Sequence, residues 1–142
     1  MRRLLGLVLL LTSVACSKDS STNPTTASLA GTWNLSTVND LPLPFLLQEF
    51  DPLATTPTPK IELLSDQIVA TAAGTFVETA SARITDANGP FTVSFSDNGT
   101  WALNGSTINF HFASDGSTGT GTLSGSTLTI GEAGFKSVYV KQ

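Results

Sequence analysis

Between Phe91 and Ile130 the chain alternates apolar and polar residues in short segments separated by tight-turn signals, and one face stays apolar across every break. Side chains in a strand point alternately to its two faces, so this pattern belongs to antiparallel β structure and not to a helix. Asp97-Asn98-Gly99 reads as a three-residue hairpin loop closed by a left-handed glycine, which sets Phe95 across from Trp101. Asn104-Gly105 and Asp115-Gly116 are two-residue hairpin signals, and Ser124-Gly125 is a third. On these turns Trp101 is expected opposite Ile108, Phe112 opposite Gly119, Phe110 opposite Gly121, and Gly121 opposite Leu128. A slip of one residue at any turn would scatter the apolar set over both faces. The opposite face carries Thr92, Ser94, Thr107, Asn109, His111 and further threonines, the composition of a sheet with one buried and one wet face.

The same parity extends upstream. A Ser65-Asp66 turn is expected to place Leu63 opposite Ile68. An Ala72-Ala73-Gly74 loop places Ile68 opposite Glu78 and Ala70 opposite Phe76. A loop over Thr85 to Pro90 places Ala80 opposite Phe95 and Ile84 opposite Phe91. The first strand lies within Leu29 to Val38, with Trp33 and Leu35 on the core side, and Asn39-Asp40 begins a turn. Leu41 to Phe50 is apolar but interrupted by Pro42 and Pro44. Proline is tolerated in the first turn of a helix, so a short helix from Pro44 to Phe50 is expected, either as a lid over one end or as an irregular connection. The final strand, about Phe135 to Lys141, admits two registers, with Phe135 and Tyr139 or Val138 and Val140 inward.

The chain is therefore all-β, an antiparallel up-and-down meander of eight to ten short strands. A flat sheet of that size would leave two open edges and an uncovered apolar face, with no helix to cover it. Closure into a β-barrel removes both problems. A two-sheet sandwich needs crossing connections, which the consecutive tight turns disfavour. A single inward core holding Phe76, Phe91, Phe95, Trp101, Ile108 and Phe110 follows. The recurrence of Leu103-Asn104-Gly105-Ser106-Thr107-Ile108 as Leu123-Ser124-Gly125-Ser126-Thr127-Leu128 reflects two hairpins with the same geometric needs.

Three regions divide the chain. Residues 1–15 have the form of an export signal: Arg2 and Arg3, an apolar run from Leu4 to Leu11, and the small Ala15 before the cut. That apolar run is shorter than the roughly 20 residues a membrane-spanning helix needs. Residues 16–28, rich in Ser, Thr, Asn and Pro, read as a flexible polar tether. Residues 29–142 form the barrel domain. Without Arg2 and Arg3, five basic residues face eleven acidic ones, a net charge of −6, which excludes a basic nucleic-acid-binding patch. Cys16 is the only cysteine, so no intrachain disulfide can form.

Val14-Ala15-Cys16 resembles the lipobox of bacterial lipoproteins, departing from it at Ser13, where that family usually has leucine. The resemblance implies diacylglycerol on the Cys16 thiol, export, and a lipid anchor at a membrane of the cell envelope. Farther on, Gly31-Thr32-Trp33-Asn34-Leu35, then Val38-Asn39-Asp40-Leu41-Pro42-Leu43-Pro44, Gly74-Thr75-Phe76 and the closing Leu-x-Gly-Ser-Thr-Leu hairpins resemble bacterial lipocalin-like domain proteins. That resemblance covers about Leu29 to Gln142 and implies a calycin-type barrel, often carried by a lipoprotein.

The residues offer little for catalysis. His111, the only histidine, has the parity of the wet face, which leaves no nucleophilic triad and no zinc site of the His/Cys type. Asp86, Asp97 and Asp115 stand beside glycine turns and suit turn chemistry rather than a calcium loop. The chain reads as a non-enzyme with no cofactor and no metal. Two features point inward. Gly119 and Gly121 face Phe112 and Phe110, which suits either close ligand approach or large-against-small packing. Glu78 is a carboxylate on the apolar parity, which must be paired, hydrogen-bonded or neutral if buried. The expected ligand-binding set is Phe76, Glu78, Trp101, Phe110, Phe112, Gly119 and Gly121, and the expected ligand a small apolar or amphipathic molecule. The competing reading is a fully packed structural or interaction barrel, an inhibitor being one form of it, acting through its outer face or loops, with a protein partner the sequence does not identify.

Overall fold

The computed structural model of the chain describes residues 28–49, 51, 58–132 and 134–142. The expected signal segment, Cys16 and all of the tether before Ser28 lie outside them, as does Phe50. Among the described residues ten strands form one antiparallel sheet: β1 (Gly31–Val38), β2 (Leu41–Pro42), β3 (Phe45–Gln48), β4 (Lys60–Ala70), β5 (Thr75–Asp86), β6 (Gly89–Asn104), β7 (Thr107–Phe112), β8 (Thr118–Ser124), β9 (Thr127–Glu132) and β10 (Phe135–Lys141). Each strand from β4 to β10 pairs with the next, β10 pairs with β1, and β1 pairs with β4, which closes an eight-stranded barrel. Only the first half of β1 reaches β4, with Gly31 opposite Ala70 and Asn34 opposite Gln67. Beyond that point the two strands diverge. Short β2 fills the gap on the β1 side and β3 on the β4 side.

The two barrel ends differ. Loop 71–74 and the turns at 105–106 and 125–126 lie at one end, where the chain also enters. That end is packed shut. Trp33 and Leu29 are fully buried, and Trp33 Nε1 donates to the Leu29 carbonyl at 2.6 Å. Ile68, Ile108 and Leu128 pack in the same core, and the Lys141 ammonium lies 5.2 Å from the centre of the Trp33 ring. The turns at 39–40 and 87–88 and loop 113–117 lie at the other end.

Several local readings of the sequence need correction. Ser65-Asp66 is not a turn. β4 runs straight through it, with a bulge between Leu63 and Ser65 that takes up Leu64. A bulge inserts one unpaired residue and reverses parity, so Ile61 and Leu63 face inward before it and Asp66, Ile68 and Ala70 after it. Asp97-Asn98-Gly99 is not a loop either; it lies within β6, whose sixteen residues run unbroken. Phe95 pairs with Ala80 and Trp101 with Phe110, and the two do not face each other. Gly99 is present for proximity and not for a turn. A Cβ there would lie 2.0 Å from the His111 carbonyl oxygen and 2.9 Å from Phe76 Cε1. The expected helix from Pro44 is instead β3, with Phe45 buried against Leu63 of β4.

The three later hairpins keep the expected faces but each register is slipped by two residues. Leu103 pairs with Ile108, Phe110 with Gly119, Ile108 with Gly121, and Leu123 with Leu128. In the first and last hairpins the turn residues are Gly105-Ser106 and Gly125-Ser126, with glycine at φ 62° and 59° in the first position, as type II′ requires. A two-residue slip preserves parity, so the core prediction survives it. The last strand resolves in favour of Tyr139, which is buried, while Val140 is exposed.

The core contains Phe76, Ile108 and Phe110, with Trp101 packed against it. Phe91 and Phe95 are a correction: they keep the inward parity but are 47 % and 58 % exposed. Strand pairing with β7 begins only at Gly99, so β6 before that point has a paired strand on the β5 side alone, and only Asp97 and Asn98 still reach loop 113–117 on the other. Phe110→Ala is therefore expected to lower unfolding free energy by roughly 3–5 kcal/mol, whereas Phe95→Ala and the exposed His111→Ala should each stay within about 0.5–1 kcal/mol. Urea unfolding of the three variants checks the assignment, and a large loss for Phe95→Ala would contradict the exposed placement.

Candidate functional site

The barrel is not filled throughout. At the end opposite the chain entry lies a half-enclosed cavity of about 400 Å³. Its deep wall is apolar: Ile68 from β4, Phe76 from β5, Phe110 and Phe112 from β7, and Ile130 from β9. The three phenylalanines form a compact group. Phe76 meets Phe110 and Phe112 edge-on, with ring centres 5.3 Å and 5.4 Å apart. Gly119 leaves open space beside them: a Cβ there would make only ordinary contact, 3.4 Å from Phe112 Cε2. Leu47 and Phe135 lie nearer the mouth, which brings β3 to the cavity rim.

Set into this apolar lining is a group of acids. Asp66 and Glu78 are diagonal neighbours on the inner face of the β4–β5 pair, because Ile68 pairs with Glu78 and Asp66 with Ala80. Tyr139 from β10 donates its hydroxyl to Asp66 Oδ2 at 2.9 Å. The second oxygen, Asp66 Oδ1, is buried and has no well-formed hydrogen bond among the described residues. Asp97 and Glu132 stand farther out in the same lining. Asp97 is not turn chemistry: it accepts from Ser114 Oγ at 2.6 Å and so ties β6 to loop 113–117. Asp86 and Asp115 do cap their turns, accepting from the backbone N–H of Asn88 and Ser117.

Burial pushes the Glu78 carboxyl up to about 8, helped by the nearby Asp66 charge and a hydrogen bond to it, then by Asp97 and Glu132. Burial also raises Asp66, against the opposing pull of the Tyr139 and Glu78 hydrogen bonds. Burial and the same carboxylates raise Tyr139, which stays a neutral donor. Two carboxyls this close in a poorly solvated site do not both ionise readily. Near neutral pH the pair therefore tends to hold one proton between its two carboxyls.

Of the residues singled out from the sequence, Phe76, Glu78, Phe110, Phe112 and Gly119 come together around this cavity. Trp101 and Gly121 do not line it. Trp101 sits toward the closed end and donates through Nε1 to the Thr71 carbonyl at 3.2 Å. Gly121 is a packing glycine, with Leu128 Cδ1, the Thr129 carbonyl and Ile130 Cγ1 all 3.1–3.2 Å from where its Cβ would be. Sequence reasoning missed Asp66 and Tyr139. The signal for Asp66 was the switch of apolar parity between Ile61/Leu63 and Ile68/Ala70, which a bulge explains without a turn. Among the described residues no three His, Cys, Asp or Glu side chains are placed to hold one metal ion.

The raised carboxyl has a consequence for stability. The folded state holds a proton on Glu78 that the unfolded chain, at its ordinary value of 4.5, has already lost. The stabilisation is thus complete below 4.5 and falls away as pH rises toward about 8. The carboxylates held low, the half-buried Glu62 and the exposed Asp115, act in the opposite sense and below that window. The urea midpoint is expected to fall between pH 5 and pH 8.5. Glu78→Gln should flatten the slope and unfold later than the parent at pH 8.5. A midpoint that rises over this range would refute the assignment.

Comparison with known proteins places this geometry. A family model described as a lipocalin-like domain matches residues 29–130. Among solved structures, a lipocalin-like protein from Bacteroides uniformis ATCC 8492 is similar at 20 % identity over 80 % of this chain and 98 % of its own, with a TM-score of 0.42. An uncharacterized protein from Bacteroides eggerthii DSM 20697 is similar at 14 % identity over 81 % of this chain and 100 % of its own, with a TM-score of 0.44. No curated protein matches the sequence. The family match takes in the first strand, the bulged β4 and the cavity-lining strands through β9, and the chain belongs to the lipocalin-like domain family.

Proposed function

We propose that this protein is a non-catalytic binding barrel that takes up a small apolar or amphipathic molecule, and that it works at the bacterial cell envelope, anchored by acyl chains on Cys16. Lipocalin-like barrels are in general binding proteins and not enzymes. The observation that carries the reading is the cavity of about 400 Å³ at the open end, apolar on its deep wall and furnished with a few fixed polar groups. Ligand sites have this composition, and their volumes begin at about 300 Å³. A fully packed interaction barrel would have no use for an unfilled space of that size beside two partly buried carboxyls. Loss of a few apolar contacts in the open half is offset by the dense packing around Trp33.

The anchoring part rests on the sequence around Cys16 and on the polar stretch that follows it. Burial of acyl chains contributes about 0.8 kcal/mol per CH₂, so two or more chains hold a protein at a membrane for long periods.

Two experiments test these parts separately. The Cys16→Ser protein is expected in the soluble fraction of a bacterial host after a salt wash, while the parent sediments with membranes; sedimentation of both would end the anchoring proposal. For the cavity, the Cys16→Ser protein should enhance the fluorescence of N-phenyl-1-naphthylamine, a neutral apolar probe. Gly119→Leu should abolish that enhancement by filling the space beside Phe112, at a position whose backbone accepts a side chain. Equal enhancement by the Gly119→Leu variant would place the probe elsewhere and favour the packed interaction barrel.

A further inference from the structure

We propose that the ligand of this cavity is an organic cation: a protonated amine on an apolar body, seated with its nitrogen against Asp66 and Glu78. The inference rests on the binding-barrel reading and narrows it to one charge class.

The first argument is the polar inventory of the lining. It offers the carboxyls of Asp66, Glu78, Asp97 and Glu132, with Ser117, Ser137 and the Tyr139 hydroxyl, and among the described residues that line it there is no lysine, arginine or histidine. An anionic head group would meet four acids and no cation. The second argument is where the basic residues are. Lys60 and Arg83 are both paired with Glu62, Lys136 with Asp40, and Lys141 lies over Trp33 at the closed end. His111 alternates outward on β7 and is exposed. The described part of the chain thus supplies the cavity with negative charge and keeps its cations for other places.

The third argument is the hydrogen-bond deficit. Tyr139 satisfies one oxygen of Asp66, and the other is buried without a well-formed donor. A proton on Glu78 fills part of that need when the cavity holds no ligand. An ammonium group brings up to three N–H donors to the same place. It favours the ionised form of both acids, so its arrival displaces the shared proton. The groups facing Glu78 are Asp66 from β4, Asp97 from β6, Glu132 from β9 and Tyr139 from β10, and none of them is basic. The apolar body then lies along Phe76, Phe110, Phe112 and Ile130.

The chemistry predicts a proton balance. At pH 7 a carboxyl raised to about 8 is mostly protonated, so binding of one ammonium should release close to one proton. Affinity should rise as pH goes from 6 to 8, while the amine itself stays charged.

The test uses three probes with one apolar body and different head groups: 3-phenylpropylamine, 3-phenylpropanol and 3-phenylpropionate. Each is titrated calorimetrically into the full-length Cys16→Ser protein at pH 7, in two buffers of different protonation enthalpy. The amine is expected to bind at least about 10-fold more tightly than the alcohol, with proton release, and the carboxylate not at all. Glu78→Gln should remove the proton release and most of the amine's advantage over the alcohol. Asp66→Asn should act in the same direction, and circular dichroism of both variants checks that the barrel is intact. Equal binding of amine and alcohol, with both lost in Gly119→Leu, would overturn the cation proposal and leave the binding barrel standing. Tightest binding of the carboxylate would also overturn it. Failure of all three probes and of N-phenyl-1-naphthylamine would remove both.

Discussion

Everything inside this protein depends on four residue pairs between the first strand and the fourth. Gly31 to Asn34 lie against Ala70 to Gln67, and without that ladder the remaining strands would be an open sheet with an uncovered apolar face. The seam is reinforced on both sides. Trp33 is buried beneath it, and Gln67 donates to Asn34 Oδ1 at 2.8 Å on its outer surface. The seam is also short. Because β1 and β4 part company after Asn34, the barrel is tight at one end and wide at the other, and β2 and β3 cover the divergence without closing it. The cavity follows directly from this taper.

The bulge in β4 decides what the cavity contains. Taking up Leu64 allows Leu63 and Ile68 to face the same interior although their numbers differ in parity. It also turns Asp66 inward, next to Glu78 and within reach of Tyr139. One extra residue in one strand therefore converts an apolar interior into an apolar interior with an ionisable centre. That centre is destabilising for the fold near neutral pH, because the folded state holds a proton that the unfolded chain gives up.

Much of the fold was legible because parity is robust. The Asn104-Gly105, Asp115-Gly116 and Ser124-Gly125 signals each located a hairpin, and a two-residue error in each register left every side chain on its proper face. The Ala72–Gly74 loop gave the pairing of Ile68 with Glu78 outright. Turn chemistry misled where polar residues serve other ends. Asp97-Asn98-Gly99 has the composition of a loop, but Asp97 holds Ser114 and Gly99 admits the His111 backbone. Ser65-Asp66 has it too, beside a bulge that periodicity alone reads as a reversal. Phe91 and Phe95 have core parity, yet no local pattern reveals that β6 outruns its partner β7 at that point. Half of the acid pair was visible and half was not, for the same reason: Glu78 lies in a regular stretch and Asp66 just past an irregular one.

The opposite placement of chain entry and cavity mouth divides labour along the barrel axis. The Trp33 end, where Leu29 and the last turns pack, has no need to move when the open end is occupied. If the cavity binds as proposed, any adjustment to a guest would fall on β3, loop 113–117 and the start of β10, around Leu47, Ser117 and Phe135, while the seam retains its geometry. A domain tethered through the residues preceding Leu29 would hold its closed pole toward the point of attachment and present its mouth to the space beyond. Guests would arrive from the aqueous side and not along the tether.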